Sequence, residues 1–190
     1  MKTPLFPLNA IICPRGRIPL QIFEPRYLDM VSHCLRSGSA FVAVMLRDTD
    51  DIEEDFYRVG TLVKVVDFGK GASEGFLSVT IEGISRVDLS LSVQQEDGLW
   101  LADIATPNEE SFVPLPERYK ELRAVLEALV QHPFVHELNM DIDFQDGRQV
   151  GWRLTELLPI DNRQKQLLFE LKDPIQRLAE LSDQLAAMML

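Results

Sequence analysis

The 190-residue sequence has no uninterrupted apolar run near the roughly 18 residues that a membrane-spanning helix needs. Met1 to Ala10 lacks the basic start and continuous apolar stretch of a secretory signal, so a cytoplasmic protein with no membrane partner is expected. Cysteine is scarce: Cys13 and Cys34 form no CxxC pair and read as two reduced, buried thiols. Histidine is limited to His33, His132 and His136. Positive charge is also short, with 19 Lys and Arg against 30 Asp and Glu and a net charge of -11. Residues 1–112 hold 17 acids and 10 bases, and residues 113–190 hold 13 and 9. Neither part is the basic module that a nucleic-acid partner or an anionic lipid surface would require. The densest acidic run, Asp48 to Asp55, has turn character and no calcium-loop spacing, so it reads as a solvated loop.

Apolar residues make up 46%, enough for one large domain or two small subdomains. The pattern changes near residue 112. Before it, short β-type runs (42–46, 61–68, 76–84, 86–93 and 99–104) alternate with glycine-marked turns, and Asp97-Gly98 is a hairpin signal. Several short strands at this spacing suggest a small, nearly closed sheet. One helix interrupts them. Pro25 suits its first turn and Gly38 its end, and Tyr27, Leu28, Val31, Cys34 and Leu35 repeat at helical spacing. After Pro114 and Pro116 the period becomes helical. Leu122, Val125, Leu126, Leu129 and Val130 form one apolar face; Val150, Leu154, Leu157 and Leu158 form another. Asp161 and Asp173-Pro174 open two further helices. The expected architecture is α+β, a β-rich subdomain over 1–112 with one packing helix and a helical subdomain over 113–190.

Two segments carry more specific information: Pro4 to Asn9 (PLFPLN) and Pro19 to Leu28 (PLQIFEPRYL). Val59-Gly60-Thr61, Val79 to Gly83 (VTIEG), Val150 to Ile160 and Lys165 to Glu170 follow in order. Together they resemble the N-terminal, substrate-binding domain of Lon proteases, and the match covers nearly the whole chain. The resemblance implies a PUA-like β-barrel followed by a helical bundle. It also implies a non-catalytic module that binds unfolded or partner polypeptides, and no cofactor.

Other chemistry finds little support. The phosphate-cradling pattern GxxxxGK[ST] is absent, and Gly69-Lys70-Gly71 reads as a turn. His132 and His136 are four apart, but Pro133 lies between them and no further zinc ligands can be named. No metal site and no catalytic residue is expected. The alternatives are an RNA-binding PUA-like protein, which would need a basic face, and a small hydrolase, which would need a cleft with paired titrating groups.

The substrate-binding candidates are Phe23, Glu24, Arg26, Tyr27, Phe68 and Phe76. Pro25 should start the helix, Tyr27 should enter the core, and Glu24 with Arg26 should fix the strand-to-helix corner by charge-assisted hydrogen bonds. The expected location is a groove between barrel and bundle, bordered by this corner, by the glycine-rich stretch from Phe68 to Gly75 and by the first long helix after Pro116.

Overall fold

The computed structural model describes residues 2–47, 56–71 and 75–188. The acidic run Asp48 to Asp55 lies outside the described residues, as do residues 72–74 of the glycine-rich stretch. The fold is α+β, and the chain divides into two compact units, Met1–Pro107 and Asn108–Leu190. Among the described residues no helix is long and apolar enough to cross a membrane.

The first unit holds strands β1 (Thr3–Leu8), β2 (Arg17–Ile22), β3 (Phe41–Met45), β4 (Val59–Lys70), β5 (Leu77–Gln94) and β6 (Trp100–Ala105). Their order is β2-β5-β4-β3-β1-β6, and a further β5–β6 pairing closes the last five into a barrel. β1 and β3 run parallel; the other pairings are antiparallel. The five residues of β3 are all buried. Phe41 and Ala43 enter one apolar cluster while Val42 and Val44 enter another. A strand covered on both faces needs this continuous apolar run rather than alternation.

The sequence suggested two strands over 76–84 and 86–93; the structure has one 18-residue strand. Gly83 is therefore not a turn. A Cβ there would lie 2.2 Å from the Cys13 carbonyl oxygen. Arg15 N–H donates to Gly83 O, and Gly83 N–H donates to Gly16 O. The missing side chain lets the loop before β2 cross the strand at backbone distance.

Helix α1 (Pro25–Ser37) begins with proline in its first turn and ends at Gly38 in the left-handed conformation, φ 67°. Its buried residues are Tyr27, Met30, Val31 and Cys34, an i, i+3, i+4, i+7 stripe. The expected stripe is rotated slightly. Leu28 is half-buried at the stripe's flank, and Leu35 is 40% exposed. Met30 is buried at the opposite edge of the stripe from Leu28.

The second unit holds α2 (Lys120–Leu129), α3 (Pro133–His136), α4 (Gly147–Leu157), α5 (Asn162–Glu170) and α6 (Pro174–Met188). An aspartate caps the start of each of α4, α5 and α6. Asp146 Oδ1 accepts from Arg148 N–H, Asp161 Oδ1 from Gln164 N–H, and Asp173 Oδ1 from Ile175 N–H. Leu122, Leu126, Val150, Leu154, Leu178 and Leu181 form the centre of one apolar cluster. The short α3 was not foreseen. Pro133, which argues against a mid-helix position, is the first residue of a single helical turn with His132 before it.

Candidate functional site

The groups that could carry catalysis are scattered. His33, His132 and His136 are exposed, and the His132 ring stacks on Phe134 with centroids 5.9 Å apart. Cys13 and Cys34 are buried free thiols. Among the described residues no group of three or more His, Cys, Asp or Glu side chains is arranged to hold a metal ion.

The corner between β2 and α1 is different. Pro25 turns the chain into the helix, so the residues on either side face a concave surface at the barrel end. A cavity of about 540 Å³ opens there, lined by Ile22, Phe23, Glu24, Arg26 and Tyr27 from the corner. Phe6 and Pro7 of β1, Leu46, Phe56, Gln94 and Trp100 complete it, together with Gln21. All of these residues belong to the first unit. The floor is aromatic: Phe6 packs on Tyr27 with ring centroids 4.4 Å apart, and Phe56 meets Trp100 edge-on at 5.5 Å.

Arg26 organises the polar side of the cavity. Its Nη2 donates to Glu24 Oε2 at 2.6 Å, and its Nη1 donates to the Gly98 carbonyl at 3.0 Å. Gln94 Nε2 donates to the same carbonyl at 3.2 Å. The guanidinium lies over the Tyr27 ring, 4.8 Å from its centroid. Burial pushes the Tyr27 hydroxyl above its ordinary pKa; the Arg26 charge opposes this and the Glu24 charge adds to it. Gly98 is at the hairpin tip with φ 84°, and a Cβ there would lie 2.5 Å from Arg26 Nη1. The hairpin signal Asp97-Gly98 thus has two duties: it supplies the left-handed turn position and it leaves room for the arginine.

The structure brings Phe23, Glu24, Arg26 and Tyr27 together at one cavity. Phe76 does not line the cavity but lies beside Phe23. It follows the β2–β5 pairing by one step beyond Ile22↔Leu77, and its ring lies 5.1 Å from that of Phe23. Phe23 is 57% exposed and Phe76 38%. Phe68 stands apart. An irregularity in pairing between Val65 and Asp67 sets Phe68 opposite Val79, on the alternate face of β5 from Phe76, and it remains 64% exposed. The lining residues outside the sequence candidates are Phe6, Pro7, Gln21, Ile22, Leu46, Phe56, Gln94 and Trp100. One signal was available for Gln94: a tight turn at Asp97-Gly98 pairs Gln94 with Trp100 across the hairpin.

A family model described as the ATP-dependent protease La (LON) substrate-binding domain matches residues 2–187. A Lon protease of Endomicrobium trichonymphae is 26% identical over 94% of this chain, and Lon protease 2 of Sorangium cellulosum is 28% identical over 45% of it. The chain spans only 23% and 11% of the length of those two relatives. The crystal structure of a Lon N-terminal domain protein from Xanthomonas campestris superposes with a TM-score of 0.79 at 31% identity, covering 96% of this chain and 98% of that one. The N-terminal domain of a Mycobacterium avium complex Lon protease shares the fold, with a TM-score of 0.63 at 18% identity over 96% and 97% of the two chains.

Proposed function

The chain belongs to the ATP-dependent protease La (LON) substrate-binding domain family, and we propose that it recognises polypeptides at the β2–α1 cavity without catalysing a reaction there. The observation that carries this reading is the cavity itself. Aromatic lining residues, an exposed Phe23 whose ring meets Phe76 beside the cavity, and the ion-paired Glu24 and Arg26 stand together there. Concave surfaces that set aromatic rings beside convergent polar groups are common binding sites. Solvent-exposed aromatic rings offer contact area to varied partners without requiring one sequence. The expected ligand is an extended, unfolded stretch of another protein, bound weakly because ordering a flexible chain offsets much of the contact energy.

Phe68 is a subsidiary contact at most in this reading, since the register sets it apart from the cavity rim. Binding of reduced, carboxymethylated casein, followed by fluorescence anisotropy, tests the site. Phe23→Ser and Phe76→Ser should each weaken binding with circular dichroism unchanged, and Phe68→Ser should weaken it less. Equal binding by the parent and the Phe23 and Phe76 variants would move the site elsewhere. No binding by the parent would remove the proposed function.

A further inference from the structure

Glu24 and Arg26 form one ion pair on the cavity wall, but their surroundings do not hold the two partners alike. The guanidinium is engaged from three sides. Nη2 donates to Glu24 Oε2, Nη1 donates to the Gly98 carbonyl, and one face lies on the Tyr27 ring. The carboxylate is engaged from one side. Oε2 meets Arg26, and Oε1 has no hydrogen-bond partner among the described residues. Glu24 is also the more open of the two, its side chain 41% exposed against 29% for Arg26. A second acceptor lines the same cavity. Gln94 Nε2 donates to the Gly98 carbonyl, which fixes the amide with its nitrogen toward that oxygen and leaves Gln94 Oε1 for another donor. Phe23 is exposed and Trp100 half-buried, so both of these lining rings still reach solvent. The hairpin tip adds two exposed acids, Glu96 and Asp97, next to the glycine that Arg26 contacts. Arg47, which follows Leu46, lies over the Tyr57 ring, 5.0 Å from its centroid.

We propose that the cavity selects polypeptide segments carrying a cationic side chain, lysine or arginine, which the Glu24 carboxylate binds beside Phe23 and Trp100. This rests on the polypeptide-binding reading above and names the chemistry that it selects. A lysine ammonium and an arginine guanidinium are donors only, so they need acceptor oxygens, and Glu24 Oε1 and Gln94 Oε1 are the acceptors left over. Aromatic faces attract the same ions, the indole ring most strongly. The long apolar stem of either side chain can cover a ring while its head reaches the carboxylate. An acidic side chain fares worse. It would find the Arg26 charge already matched at 2.6 Å and would meet the like charges of Glu24, Glu96 and Asp97. The net charge of -11 draws basic chains toward the protein and opposes acidic ones. The preference is a few-fold one, because the carboxylate is partly exposed and already paired once.

The probes are three capped peptides, acetyl-Ala-Leu-X-Phe-Ala-amide with X as lysine, norleucine or glutamate, titrated calorimetrically into the full chain at low salt. The parent should bind the lysine peptide roughly threefold to fivefold more tightly than the norleucine peptide, and the glutamate peptide least. The lysine advantage should shrink when salt is raised to about 0.5 M. Glu24→Gln keeps an oxygen for Arg26 and should remove the lysine advantage. A corner that only braces the fold would weaken all three peptides alike, so the ratio separates the two roles. In the parent, the Trp100 indole N–H cross-peak in a ¹⁵N-correlated NMR spectrum, assigned by its persistence in Trp152→Phe, should shift with the lysine peptide. That shift and the order of affinities stand even if Glu24→Gln fails to fold. Norleucine or glutamate binding as tight as lysine, a lysine advantage that persists in folded Glu24→Gln, or an unmoved Trp100 signal would overturn the inference while leaving polypeptide recognition intact. Failure of all three peptides with casein still bound would do the same. No binding of any peptide, and none of casein, would overturn both.

Discussion

Glu110 should be among the most sensitive positions of the second unit, although it sits in the irregular segment ahead of the helices. Its carboxylate faces Arg177, whose side chain is 0% exposed. Arg177 Nη1 donates to Glu110 Oε2 at 2.9 Å and Nη2 to Oε1 at 2.6 Å. Nε donates to the Leu168 carbonyl at 2.9 Å, and Nη2 also donates to the Leu171 carbonyl. The guanidinium thus joins α5, the turn after it and the 108–113 segment. Two unit charges about 4 Å apart at an effective dielectric near 20 attract by about 4 kcal/mol. Glu110→Gln removes that attraction, keeps one acceptor and turns an amide donor toward a guanidinium that only donates. The buried cation then has no counter-charge, and a loss of about 3–5 kcal/mol is expected. Urea denaturation followed at 222 nm, where the helices dominate, reads this directly. The double variant Glu110→Gln with Arg177→Met should recover a large part of the loss, since the desolvated charge is gone. A Glu110→Gln cost below about 1 kcal/mol would refute the reasoning, because it would mean that solvent already screens the pair.

Three further outcomes are expected. Gly98→Ala should lower stability and weaken casein binding together, since it strains φ 84° and crowds Arg26 Nη1; thermal melts and anisotropy measure the two. Met30→Ala should cost about 2–5 kcal/mol and Leu28→Ala clearly less in chemical denaturation, because Met30 is buried and Leu28 only half so. Asp146 should make the second unit acid-sensitive. Burial pushes its carboxyl up, but hydrogen bonds from the Arg148 side chain and backbone and the Arg148 charge outweigh this and hold it below its ordinary value of 3.8. Its contribution is complete above the unfolded pKa and is lost as pH falls through the lower folded one, so melting temperature should drop below about pH 4. Asp146→Asn keeps an N-cap and should flatten that acid limb.

Local rules made the boundaries of α1 legible. Proline fixes its first turn and glycine its left-handed end, and both lie at the positions that the sequence marks. The Asp97-Gly98 turn and the aspartate caps of α5 and α6 were legible for the same reason: each is set by residues within three or four positions of one another. What the sequence did not show depends on pairing between distant segments. Gly83 reads locally as a strand break, yet it is kept small by the Cys13 carbonyl 70 positions earlier in the chain. Phe68 and Phe76 read as twin ends of one glycine-rich stretch, yet one irregular step in the β4–β5 register sends them to different faces.

The same division separates the legible half of the site from the hidden half. The PLQIFEPRYL segment supplies Phe23, Glu24, Arg26 and Tyr27 because a strand, a proline turn and a helix start follow one another without a gap. Its polar side needs the Gly98 carbonyl, 72 positions away, and its floor needs Phe6, Phe56 and Trp100 from three other segments. Glu24 and Arg26 were expected to pair and to fix the corner, and they do. That pairing alone would be a structural brace. It becomes part of a candidate binding site because it stands on the wall of a cavity whose aromatic lining comes from distant segments.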